Sequence, residues 1–219
     1  MRRLPATDVA LLHGLAAECP ETVSAERLRH LAAGLGHVLR LGVPGDVVEV
    51  GCYRGVTSQL LRRVIDALDR GRELHVYDSF RGLPRPGRRD GRLVTGDFAA
   101  SPARLREGFR RRGLRAPRVH AGWFADTLPR HLPPRICFAY LDADLEASTA
   151  TALRHLYPRL SPSGLLLVDD YCDRSRSPRC WDGLPGVRAA VDRFFRDRPE
   201  SIEVLAGTGD LALAAIRKR

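Results

Sequence analysis

The chain has 219 residues, of which 44% are hydrophobic, and it carries a formal net charge of +10. This length and composition suit one domain of α/β size with a full core. The positive charge does not by itself indicate a nucleic-acid partner, because Lys218 is the only lysine and the arginines are spread over the whole chain. We therefore expect no nucleic-acid partner.

The cysteines are scattered and include no C-x-x-C pair, which argues against both a zinc site and a disulfide framework. A reducing cytoplasm fits this usage best. No stretch approaches the roughly 20 apolar residues that a membrane-spanning helix needs. We expect a cytoplasmic protein without a membrane partner.

Residues 1–44 are predicted to be helical, because Leu28, Leu31, Leu35 and Val38 recur at helical spacing. We interpret this segment as an N-terminal helical cap and residues 45–219 as the main domain. Strands and helices then alternate. Strands are predicted at 47–51, 74–77, 119–122, 136–141 and 164–168, and helices at 56–70, 102–112, 147–160 and around 187–195, with a turn or short helix at 123–128.

This alternation predicts a mostly parallel sheet covered on both faces. Two apolar runs, at 202–205 and 211–216, flank a glycine-rich turn and predict a closing hairpin. We therefore predict the class I S-adenosylmethionine (SAM) methyltransferase fold. It is a Rossmann-like, doubly wound α/β sheet of seven strands with a C-terminal antiparallel hairpin.

The stretch 47–55 passes from an apolar strand through two glycines into a helical pattern. Its spacing, Glu49-x-Gly51-x-x-x-Gly55, differs from the G-x-G-x-x-G of dinucleotide sites. SAM has no pyrophosphate to seat on the helix N-terminus, so this spacing favours SAM. The alternative is a strand-to-helix corner without a ligand.

Acids stand at or just past the ends of several predicted strands. The carboxyl ends of parallel strands meet along one crevice, where ligands bind. Several carboxylates in one crevice repel each other unless a cation sits among them, and oxygen ligands suit magnesium. Each acid alone is also explained as a helix cap or a turn residue. The acids are Glu49, Asp78, Asp142, Asp144, Asp169 and Asp170.

Taken together, these motifs resemble the macrocin and novobiocin sugar O-methyltransferases of antibiotic biosynthesis over about residues 20–196. The resemblance rests on G-V-P-G-D-V-V-E-V-G at 42–51, Y-D-S-F-R-G-L-P at 77–84, G-W-F-A-D-T-L-P at 122–129, L-D-A-D at 141–144 and V-D-D-Y at 168–171. Two departures adjoin the expected metal, since Glu146 replaces an aromatic residue and Ala143 a glycine.

The resemblance implies a role for each matching residue. Asp142, Asp169 and Asp170 would hold Mg²⁺, and Asp144 would be the general base. The expected SAM-binding residues are Glu49, Gly51, Tyr53, Gly55, Asp78, Ser79, Gly122, Trp123 and Asp142. Residues 172–185 would form a lid over the acceptor or, alternatively, a surface loop.

The function predicted from these features is SAM- and Mg²⁺-dependent O-methylation of a sugar hydroxyl, on a glycosylated metabolite or an activated deoxysugar. A catechol-type acceptor, an RNA acceptor and a SAM-fold protein that has lost catalysis are the alternatives. Family precedent also suggests a homodimer.

Overall fold

The computed structural model describes residues 8–173, 175, 183–205 and 211–219. Within these residues seven strands form one mixed sheet. The strands are β1 (Asp46–Val50), β2 (Leu74–Asp78), β3 (Arg118–Ala121), β4 (Ile136–Leu141), β5 (Leu160–Asp169), β6 (Ile202–Val204) and β7 (Leu213–Arg217), in the spatial order β3-β2-β1-β4-β5-β7-β6.

The first five strands are parallel to one another, and β1 lies between β2 and β4. Strand β7 runs antiparallel to both β5 and β6. The predicted doubly wound sheet with a final antiparallel hairpin is therefore confirmed. The turn predicted at 207–210 lies outside the described residues.

Helices cover both faces of this sheet. Leu60 and Ile65 belong to the core on one face, and Leu153 and Val191 to the core on the other. The helices are α1 (Val9–Ala16), α2 (Ala25–Arg40), α3 (Val56–Leu68), α4 (Pro102–Arg111), α5 (Phe124–His131), α6 (Glu146–Leu156) and α7 (Pro185–Phe195).

The predicted boundary between α6 and β5 was wrong. The helix was expected to reach residue 160, but α6 ends at Leu156 and a 3₁₀ turn occupies Tyr157–Arg159. Pro158 has no backbone N–H to continue the helix, so the chain leaves it there. Strand β5 consequently starts at Leu160, four residues before the predicted 164.

The N-terminal helices share their core with the sheet. Leu28, Leu31 and Leu35 of α2 are fully buried in the cluster that includes Phe138 of β4. This packing lays α2 along one face of the sheet, with Arg27 in its first turn beside Asp169 at the carboxyl end of β5. No helix among the described residues is long and apolar enough to cross a membrane.

Gly51 sets the distance between the ends of β1 and β4. A Cβ at this position would lie 1.7 Å from the carbonyl oxygen of Asp142, and the φ of Gly51 is +84°. The backbones are held together there, because the N–H of Asp142 donates to the oxygen of Val50 at 2.8 Å. Only glycine permits this approach.

We therefore expect Gly51→Ala to destabilise the protein severely. The matched control is Gly113→Ala, where φ is +60° but a Cβ would meet open space. The control should cost about 1–2 kcal/mol for the left-handed backbone, and Gly51→Ala at least about 2 kcal/mol more for the steric overlap. Urea unfolding measures both, and equal losses would contradict the steric role.

Candidate active site

A cavity of about 550 Å³ opens at the carboxyl edge of the sheet. Its walls come from the segments that follow β1, β2, β4 and β5 and from the segment before α2. Residues of the cavity wall include Thr22, Arg27, Gly51, Tyr53, Asp78, Ser79, Leu83, Pro84, Leu93, Trp123, Asp142, Asp144, Asp169 and Asp170.

Asp78 shapes the glycine turn from the neighbouring strand. One carboxylate oxygen accepts hydrogen bonds from the backbone N–H groups of Cys52 at 3.0 Å and Tyr53 at 2.8 Å, and the other accepts from Phe80 at 2.7 Å. Tyr53 is held with a positive φ of 46°. The acid at the tip of β2 thus fixes the backbone that faces the cavity, and it also lines the cavity itself.

Glu49 is placed differently from the expectation that it flanks the cofactor. Its side chain is fully buried and is not part of the cavity wall. Both carboxylate oxygens accept hydrogen bonds from hydroxyl groups in the first turn of α3, one from Thr57 and one from Ser58. Burial raises the pKa of Glu49 to about 7, against the opposing effect of these hydrogen bonds. The observed contacts join the end of β1 to the start of α3.

Two predicted glycines also lie behind the cavity wall. Gly55 has a φ of +80°, and a Cβ there would lie 2.8 Å from the side chain of Leu105. Gly122 has a φ of +145° and donates its N–H to the oxygen of Asp78 at 2.9 Å. Trp123, which follows Gly122, reaches the cavity, as does Ser79.

Three carboxylates form a compact cluster at the ends of β4 and β5. Ligand oxygens of Asp142, Asp144 and Asp170 all lie within 4.8 Å of one another. Asp144 and Asp170 have positive φ values of 56° and 58°, which are uncommon for residues other than glycine. Backbone strain of this kind concentrates at functional sites.

Asp169 lines the same cavity, but its carboxylate oxygens contact groups other than the three clustered carboxylates. One oxygen lies 3.2 Å from Nε of Arg27 and accepts the N–H of Asp170 at 3.0 Å. The other accepts a hydrogen bond from the hydroxyl of Tyr140. Arg27 belongs to α2 and also donates to the backbone oxygen of Thr22. A buried cation from the N-terminal helix therefore adjoins the acids.

The electrostatics of the cluster follow from crowding. Burial, followed by the negative charges of Asp169 and Asp78, raises the pKa of Asp144 to about 7. Burial and neighbouring carboxylates also raise the pKa of Asp142 and of Asp170 well above the usual range. Burial alone would lower the pKa of Arg27, but the adjacent Asp169 raises it, so Arg27 stays charged. The site favours an added positive charge.

The structure brings together nine of the twelve residues predicted from the sequence, and Glu49, Gly55 and Gly122 stand behind them. The nine that line the cavity are Gly51, Tyr53, Asp78, Ser79, Trp123, Asp142, Asp144, Asp169 and Asp170. Most of the predicted lid at 172–185 lies outside the described residues.

Sequence reasoning missed Arg27. A signal was present, since Arg27 falls on the same helical stripe as Leu31 and Leu35, four and eight residues on. A charged residue on an apolar stripe needs a buried partner. The sequence did not show which acid would supply it.

A sheet of this order with an antiparallel seventh strand, and a cavity beside the glycine turn of β1, defines the class I SAM-dependent methyltransferase fold. The solved structure of the O-methyltransferase NovP superposes with a TM-score of 0.77 at 29% identity, over 90% of this chain and 81% of that one. The chain belongs to the macrocin-O-methyltransferase (TylF) family, whose sequence model matches residues 17–198.

Two characterised relatives are similar over most of this chain. The 8-demethyl-8-(2,3-dimethoxy-alpha-L-rhamnosyl)-tetracenomycin-C 4'-O-methyltransferase of Streptomyces olivaceus is 41% identical over 160 residues, 68% of this chain. The Mycinamicin III 3''-O-methyltransferase of Micromonospora griseorubida is 34% identical over 189 residues, 80% of this chain. The matched parts span 61% and 70% of those enzymes' own lengths.

Replacing Arg27 with methionine should destabilise the fold. Arg27 and Asp169 are 6% and 2% exposed, so the variant would leave a buried carboxylate beside other acids without its cation. Breaking a buried pair in this way costs about 3 kcal/mol. Urea unfolding in EDTA measures the loss. Arg29→Met is the matched control, because Arg29 is exposed on the same helix, and a loss no larger than the control's would contradict the pairing.

Proposed function

We propose that the protein is a SAM-dependent O-methyltransferase that uses Mg²⁺ to methylate a hydroxyl of a sugar, on a glycosylated natural product or an activated deoxysugar. The observation that carries the proposal is the cluster of Asp142, Asp144 and Asp170 in the cavity that also contains the glycine turn. The family and the sugar O-methyltransferase names of the relatives support it.

The donor set fits a hard divalent cation. The cluster offers carboxylate oxygens that lie within 4.8 Å of one another. Burial and the charges of neighbouring carboxylates raise the pKa values of Asp142 and Asp170. Oxygen-only sites of this kind suit Mg²⁺, which keeps some of its waters and takes further oxygens from the substrate.

Asp142 and Asp170 belong both to the ligand set assigned from the sequence and to the observed cluster. The sequence-based assignment gives the third position to Asp169 and leaves Asp144 to accept the proton. We retain this division, because a base must approach a hydroxyl held beside the metal, and Asp144 lies next to both shared ligands. Arg27 and Tyr140 would then orient Asp169 as outer partners of a ligand.

The chain's own groups would divide the remaining work. Gly51, Tyr53 and Asp78 would line the cofactor side, where Asp78 holds the turn in place, and Ser79 and Trp123 extend that wall. A bound cation lowers the pKa of a coordinated hydroxyl, and SAM supplies an electrophilic methyl group. Asp144 would take the hydroxyl proton on its carboxylate, and alignment of the reacting groups within the cavity would supply further acceleration. The homodimer stays a prediction.

Metal removal is the first test. EDTA should abolish methyl transfer from SAM to a panel of glycosylated metabolites and activated deoxysugars, and excess Mg²⁺ should restore it. Calorimetry of S-adenosylhomocysteine binding serves as the control, because the cofactor side of the cavity needs no metal to keep its shape. Full turnover in EDTA would remove the metal from the proposal.

The division of roles between the acids is the second test. Asp144→Asn should lower kcat by about 100-fold or more while Mn²⁺ affinity, measured by electron paramagnetic resonance, and cofactor affinity stay unchanged. Asp169→Asn should weaken Mn²⁺ binding by about tenfold or more. Asp126→Asn, on the exposed side of α5, is the control and should change neither. If Asp144→Asn lost Mn²⁺ binding and Asp169→Asn retained it, Asp144 would be the metal ligand and Asp169 the base.

A further inference from the structure

The loop that follows β2 carries an unusual concentration of positive charge. Between residues 81 and 92 it contains five arginines and one acid, Asp90. The charge of Asp90 is directed inward, because its side chain is 1% exposed. Its carboxylate accepts the N–H of Gly87 at 2.6 Å and the N–H of Glu146 at 2.8 Å. The outer surface of the loop is therefore basic.

Four of these arginines have no acidic partner among the residues that the structure describes. Arg89 pairs with Glu146 at 3.2 Å, but no carboxylate of the described residues lies within 4.0 Å of the other four guanidinium groups. All four residues are exposed. They are Arg81, Arg85, Arg88 and Arg92.

Exposed arginines without a carboxylate within 4.0 Å also occur elsewhere among the described residues, for example Arg104 and Arg106 of α4, although some arginines near them are paired. On α4, Arg110 and Arg111 both lie near Glu107, at 2.7 and 3.9 Å. Farther along the chain Arg115 and Arg118 share Glu73. The loop differs in its density and position, because four arginines without an acidic partner among the described residues fall between residues 81 and 92, in a loop that borders the cavity.

The loop is held against the cavity by specific contacts. The N–H of Leu83 donates to the oxygen of Asp97 at 2.8 Å, and the N–H of Gly96 donates to the oxygen of Leu83 at 2.9 Å. The bond from Glu146 to Asp90 fastens the middle of the loop to the start of α6, two residues after Asp144. Arg85 follows Pro84 and Arg92 precedes Leu93, and both of these apolar residues line the cavity. Two of the four arginines, Arg85 and Arg92, are thus adjacent in the chain to residues of the cavity wall.

We propose that this loop is a binding subsite for the diphosphate of a nucleoside-diphosphate sugar, so that the acceptor is an activated sugar rather than a finished glycoside. The inference rests on the proposed function and narrows its acceptor. Guanidinium groups bind phosphate oxygens in a two-pronged geometry, and a diphosphate offers neighbouring negative charges to several arginines. The diphosphate is attached at the anomeric carbon, so it would extend beyond the sugar hydroxyl being methylated and reach the loop.

The test compares two forms of the same acceptor with SAM and Mg²⁺ saturating. A panel of dTDP-activated deoxysugars is assayed beside the methyl glycosides of the same sugars and beside glycosylated metabolites. The variant is Arg85→Gln/Arg92→Gln, and the matched control is Arg104→Gln/Arg106→Gln, which removes two exposed arginines from α4. Calorimetry with dTDP alone, in the presence of S-adenosylhomocysteine and Mg²⁺, measures the subsite without turnover.

We expect the loop variant to raise KM for the dTDP-sugar by about tenfold or more with kcat unchanged, and to weaken dTDP binding similarly. The control should change neither. A wild-type preference for neutral glycosides, or equal effects of the two double variants, would overturn the subsite while leaving the methyltransferase in place. Binding of RNA in place of dTDP, with steep salt dependence, would also overturn it. Retained dTDP binding without methyl transfer to any sugar would instead refute the proposed function.

Discussion

The mutual repulsion of carboxylates at one edge of the sheet governs the arrangement around it. Asp142, Asp144, Asp169 and Asp170 meet there because the carboxyl ends of β4 and β5 are neighbours in a parallel pair. Such a group is stable only with compensating positive charge or bound protons. The chain supplies part of that charge itself through Arg27, while burial and neighbouring carboxylates still raise the pKa values of Asp142 and Asp170.

Arg27 also gives the N-terminal helices a function. They share the main hydrophobic core, and α2 places the buried guanidinium of Arg27 beside Asp169 at the carboxyl end of β5. The segment before α2 forms another part of the cavity wall through Thr22. The chain before the first strand thus contributes both to the stability of the sheet and to the electrostatics of the site.

Much of the fold could be predicted from the sequence, because apolar periodicity and strand-end acids are local signals. The order of elements from Asp46 to Arg217 follows them closely. The end of α6 was missed because Pro158 acts only on its own turn, within an otherwise helical pattern.

Side-chain contacts between residues distant in the sequence could not be predicted either. The sequence placed Glu49 and Asp78 at strand tips, but it could not show that Thr57 and Ser58 enclose the first or that backbone amides of the glycine turn engage the second. The pairing of Arg27 with Asp169 joins residues 142 positions apart (169 − 27), beyond the reach of any local pattern.

The contact between Gly51 and the backbone of Asp142 has a mechanical consequence. Because the two strand ends touch without an intervening side chain, the glycine turn after β1 and the acids after β4 are held at a fixed, short separation. A methyl group that must cross a short gap gains from such a fixed span. In the proposed reaction, movement of the wall for substrate exchange would fall to segments outside the sheet, such as the stretch at Thr22.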